Sequence, residues 1–178
     1  KRAEILTRLT NEGVLNMNKE LTFPVTPQKI AVISSETAAG YGDFINQLEN
    51  NPCGFKFYYK LFPAFMQGEH TEKSIVEALE RIYQYEDFFD VVVIIRGGGS
   101  KSDLSYFDNY WIAYHITQFP LPVITGIGHQ QDDTISDIVA HTKLKTPTAV
   151  ADFLISKLSD FDAYLNEMQD SAIDCINE

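Results

Sequence analysis

The sequence predicts an α/β fold: a parallel sheet of about four strands with helices on both faces, followed by a C-terminal coiled-coil helix. Three observations carry this reading. Short apolar runs alternate with amphipathic stretches along the chain, the pattern of a parallel sheet covered on both faces. Two runs, KIAVIS (29–34) and DVVVIIR (90–96), are nearly continuously apolar, as strands buried on both sides are. From Leu154 the apolar residues Leu158, Phe161, Leu165, Met168, Ala172 and Cys175 step by four and three in alternation. That 3.5-residue period suits a coiled-coil seam.

The elements follow in order. Residues 1–28 read as a linker with a short helix carrying Ile5, Leu6 and Leu9 on one face and closing at Glu12-Gly13. Residues 29–152 read as the α/β domain. Its first strand is 29–34, and Ser34, Ser35 and Thr37 offer caps for a helix over 37–50. A second, aromatic-rich strand is expected over 55–62, and a helix over 68–85 with Ile75, Leu79 and Ile82 inward. The third strand, 90–96, runs into a Gly-rich loop and a helix over about 103–118. A fourth strand is expected over 122–128 and a helix over 132–141. Residues 153–178 begin the coiled-coil helix, and the pattern is still running at the last residue.

Composition sets bounds. Of the net charge of −11, residues 151–178 carry −6 and the other 150 residues −5. A nucleic-acid-binding domain is usually basic, because phosphate contacts supply most non-specific affinity. Any such role must rest on a local site and on basic surface elsewhere in a larger assembly. The longest apolar runs are too short to span a bilayer, so no membrane is expected. No basic-then-apolar leader opens the chain. Cys53 and Cys175 lie far apart, outside metal-ligand spacing, and read as free thiols of a reducing, cytoplasmic compartment.

In parallel α/β sheets ligands bind at the carboxyl ends of the strands. The chemistry is therefore expected just after Ser34, Arg96 and Gly128. Gly97, Gly98, Gly99 and Ser100 follow a buried strand, where backbone N–H groups and a helix start can cradle an anion. Arg96 adds a planar fork suited to phosphate. The bland reading is a tight turn with Arg96 paired to a surface acid. His129 can act as acid or base, or bind metal, and Asp132 can orient it or share that metal. Alternatively Asp132 is a helix cap beside an incidental histidine. Asp43 sits one to two turns into the first domain helix, where an isolated acid is usually only solvated. Asp137 is an outward helix residue or a supporting group, and Thr146-Pro147-Thr148 a helix start.

These pieces occur in register. Ser34-Ser35-Glu36-Thr37-Ala38-Ala39 with Asp43, Gln67-Gly68, and Arg96 to Ser100 with Asp103-Leu104 and Phe107 come first. Gly128-His129 with Asp132, Thr134, Asp137 and Val139-Ala140 follow, then Thr146-Pro147-Thr148-Ala149. The set is similar in order and spacing to the large subunit of bacterial exodeoxyribonuclease VII, over about residues 28–152 and the coiled coil that the family places next. The resemblance implies hydrolysis of single-stranded DNA from its ends to short oligonucleotides, with small helical subunits on the coiled coil. It carries catalytic roles to Asp43, Arg96, His129 and Asp132, with Asp103, Thr134 and Asp137 in support. Mg²⁺ is a candidate cofactor whose need stays open. The family also has an oligonucleotide-binding fold ahead of this domain, a source for the missing basic surface.

Several positions depart from the family pattern. Gln130 replaces the usual Glu, Ser102 an acid and Ser105 a Trp. Asp108-Asn109-Tyr110 stands for Asn-Asp-Glu, and 141–145 reads His-Thr-Lys-Leu-Lys in place of Asp-Leu-Arg-Ala-Pro. These changes ring the four central residues. A non-hydrolytic nucleotide-binding module and an inactive scaffold are the competing readings.

Overall fold

The structure, a computed structural model, describes residues 1–98, 101–128 and 133–177. Five parallel strands form one sheet in the order β2-β1-β3-β4-β5. They are β1 (Lys29–Ser34), β2 (Tyr58–Pro63), β3 (Val91–Ile95), β4 (Val123–Gly126) and β5 (Thr142–Lys143). The helices are α1 (Arg2–Asn11), α2 (Ala39–Glu49), α3 (Thr71–Tyr83), α4 (Tyr110–Gln118), α5 (Ile135–Val139) and α6 (Pro147–Asn177), with a 3₁₀ helix over Lys101–Phe107.

Strand alternation divides the core in two. Ala31, Ile33, Val92 and Ile94 pack with Leu9 of α1 and the inner faces of α3, α4 and α5. Ile30, Val32, Val91, Val93 and Ile95 point the other way, onto Phe44 and Leu48 of α2 and Val150, Ala151, Leu154 and Leu158 of α6. Because both faces are covered, β3 is apolar and buried throughout, and β1 is buried at every position after Lys29. The edge strand β2 instead alternates in exposure.

The sheet has one strand more than the four expected. β5 is two residues long, polar and partly exposed, so no apolar run announces it. The helix expected over 103–118 is interrupted. Asn109 is extended, and its side chain accepts from the N–H groups of Trp111 and Ile112, which starts α4 afresh. The expected caps of α2 are otherwise engaged. The Ser34 hydroxyl donates to the Ile95 carbonyl across the sheet at 2.9 Å, and the Ser35 and Thr37 hydroxyls meet each other. The N-cap of α2 is Ala38, which has no side-chain cap. The helix expected from Asp132 begins at Ile135, and the long helix expected from 153 begins at Pro147.

Residues 1–28 are tied into the body. Leu9 is fully buried. The buried Asn18 amide donates to the carbonyls of Phe119 and Leu121 and accepts from the N–H groups of Val123 and His141. All four contacts are over a hundred residues away in sequence, so no local pattern predicts them.

Candidate active-site cleft at the carboxyl edge of the sheet

The strand order fixes where a cleft can open. From β1 the chain steps outward to β2, then crosses back to β3 and continues through β4 to β5. The carboxyl ends of β1 and β3 therefore flank the point where the winding reverses, the usual ligand crevice of open α/β sheets. A cleft of about 360 Å³ lies on this edge, and its lining includes Asp43, Arg96, Gly97, Gly98, Gly128 and Lys145.

Arg96 follows the last residue of β3 and is only 7% exposed. Its Nη2 donates to Oδ2 of Asp103, on the 3₁₀ helix, at 3.4 Å. The predicted supporting acid is thus a direct partner of the predicted charge-binding residue. The pairing with an acid foreseen by the bland reading is real, but it sits inside the cleft region instead of on open surface.

The glycines divide their work. A Cβ on Gly40 would lie 2.5 Å from Gly97 Cα, and one on Gly97 would lie 2.6 Å from Gly40 N. Both positions must therefore be glycine for the first turn of α2 to cross the loop after β3. Gly97 is consumed by this crossing. A Cβ on Gly98 would meet nothing within 4 Å, so its backbone is the more open to a ligand. The first turn of α2, with Ala39 and Gly40, reaches the cleft without a side-chain cap. The start of α6 reaches it too, with Thr146 capping Ala149 N–H at 3.1 Å. Two helix N-termini, Arg96 and Lys145 make the cleft attractive to an anion although the chain is acidic.

Asp43 lies on the exposed side of α2 and is the one carboxylate in the described lining. Gly128, at φ +79°, turns the chain at the end of β4. The predicted residues Gly99, Ser100, His129 and Asp132 lie outside the described residues. The described chain from Thr134 onward is firmly anchored. Thr134 and Asp137 form a capping box at the start of α5. The Asp137 carboxylate accepts from Thr125 Oγ1 at 2.6 Å, Thr134 N at 2.9 Å and Thr134 Oγ1 at 2.8 Å. Asp108 accepts from the Ile135 N–H at 2.8 Å. Asp137 is therefore a buried clamp between β4 and α5, not an outward residue. Among the described residues no three His, Cys, Asp or Glu side chains are grouped to hold a metal ion.

Sequence reasoning missed Gly40, Lys145 and the anchoring roles of Thr125 and Asp108. The Gly-Tyr-Gly at 40–42, inside a helix start, was the available signal for the close crossing. Lys145 carried none.

The model of the family described as exonuclease VII, large subunit, matches residues 14–178. The exodeoxyribonuclease 7 large subunit of Nostoc sp. (strain PCC 7120) is 34% identical over 157 residues, 88% of this chain and 37% of that protein. That of Lactobacillus helveticus is 34% identical over 170 residues, 96% of this chain and 38% of that protein. That of Thermotoga petrophila is 34% identical over 167 residues, covering 92% and 41%. The chain thus spans 37–41% of the length of these relatives. With most of its length matched by the family model and by these relatives, the chain belongs to the exonuclease VII large subunit family.

Proposed function

We propose that this chain is the catalytic segment of a nuclease that hydrolyses phosphodiester bonds of single-stranded DNA from its ends, releasing short oligonucleotides. The observation that carries the reading is the cleft where Arg96, the open Gly98 backbone and two helix N-termini meet beside Asp43. Attack on phosphorus spreads charge over the equatorial oxygens, and Arg96 with nearby N–H groups would stabilise it. His129 would move the proton of the attacking water or the leaving oxygen. Asp43 and Asp132 would orient His129. The same three residues are the set that would hold Mg²⁺, which when bound would neutralise phosphate charge. Asp43 alone does not make such a site, so no step is assigned through it. The exposed outer half of α6 would carry the small subunits, and the enzyme would work in the cytoplasm.

The test is single-turnover cleavage of labelled single-stranded DNA by the enzyme assembled with its small subunit, with and without EDTA. Filter binding at one fixed salt concentration runs beside it. His129→Ala should slow cleavage by about 10²-fold or more with affinity little changed. Arg96→Lys keeps the charge but loses the fork and should also lose most activity. A non-hydrolytic nucleotide module gives the opposite result: Arg96 governs affinity and His129 does nothing. An unchanged cleavage rate for His129→Ala would overturn the assigned mechanism.

A further inference from the structure

The lysines of this acidic chain are not evenly spread. Lys29 and Tyr58 are register partners on β1 and the edge strand β2, and Lys60 follows two residues along β2. Lys29 Nζ lies 5.1 Å from the ring centre of Phe88, and Lys60 Nζ lies 5.8 Å from that of Tyr85, both rings in the loop between α3 and β3. Lys56 Nζ lies 6.0 Å from the ring centre of Tyr58. Tyr58, Tyr85 and Phe88 are each more than half exposed. Among the described residues none of the three lysines is ion-paired, although Glu86 and Asp87 belong to the same loop.

We propose that this edge of the sheet is a second binding surface, a track for single-stranded polynucleotide apart from the cleft. The proposal rests on the nuclease reading for its ligand. Single-strand binders combine cations that follow the phosphates with aromatic rings on which bases stack. Here Lys56, Tyr58 and Lys60 alternate with one residue between them as the chain enters the edge strand β2, and Lys29 with the rings of Tyr85 and Phe88 lies beside them. An acidic polypeptide would satisfy the lysines but leave the rings without partners, whereas a single strand of DNA uses both. A duplex hides its bases and also loses the rings. β2 runs from the amino edge of the sheet, near Lys29, to the carboxyl edge where the cleft opens, so a strand lying along it would be led toward the cleft.

The test is fluorescence anisotropy of a labelled oligothymidylate with the full chain across a salt series. Tyr58→Ala, Tyr85→Ala and Phe88→Ala should each weaken binding about tenfold, the scale of one lost base–aromatic stack. Lys29→Gln and Lys60→Gln should each lower the salt slope by about 0.7. These positions are exposed, and thermal melting checks that each variant is folded. Unchanged affinity in the ring variants, or equal competition by a duplex or by polyglutamate, would overturn the track. Arg96→Lys separates the two readings, because it should lose cleavage while Tyr58→Ala still weakens oligothymidylate binding about tenfold in the Arg96→Lys background. If Arg96→Lys cleaves normally, the cleft assignment falls and the anisotropy still decides the track.

Discussion

The carboxyl edge of the sheet and the outer half of α6 are built on opposite terms. At the carboxyl edge, the described residues are closely engaged. The backbones of Gly40 and Gly97 touch, Arg96 is buried against Asp103, and Asp137 is saturated with donors. On α6 the same apolar repeat has two fates. Leu154 and Leu158 are buried against α2 and the sheet, whereas Leu165 and Met168 are 46% and 52% exposed. One heptad pattern thus serves first as core and then as unpartnered surface. Periodicity states that a face is apolar; it does not state what covers it.

Three measurements sharpen this contrast. Leu154→Ala, on the inner half of α6, should cost about 2–5 kcal/mol in denaturant unfolding, because it empties a filled site between helix and sheet. A small loss there would mean that α6 is only loosely docked and that the two halves do not differ. Gly40→Ala should cost about 1–3 kcal/mol and lower activity together with stability. Its new methyl would meet the Gly97 backbone, which cannot swing aside as a side chain can. Retained melting temperature and retained cleavage would show that the crossing has slack. Met168→Ala, on the outer half, should change the stability of the chain alone by less than about 0.5 kcal/mol. The same variant should weaken association with a small subunit in sedimentation. A large loss of intrinsic stability would show that the outer half folds back onto the body in solution.

Much of this molecule was legible before folding. The two buried strands, the alternation of elements and the long apolar repeat came from composition and period, which are local quantities. Arg96 and Gly128 could be placed at the correct edge because parallel strands all end on one side. Other features had no local trace. β5 is a strand only because β4 offers Ile124 and Thr125 for pairing. Asn109 breaks a helix that its neighbours alone would continue, because its side chain captures two N–H groups.

The sequence by itself determined the α/β class, the carboxyl-edge location of Asp43, Arg96, Gly97 and Gly98, and the apolar seam of α6. Those depend on residue type and spacing along the chain. Only the tertiary structure decided that Gly97 serves a crossing with Gly40, that Arg96 is held by Asp103, that Asp137 clamps β4 to α5, and that Asn18 stitches the N-terminal segment to β4. Each of these is a contact between groups that approach only when separate elements pack. Its energy depends on a distance, and no one-dimensional pattern contains that distance.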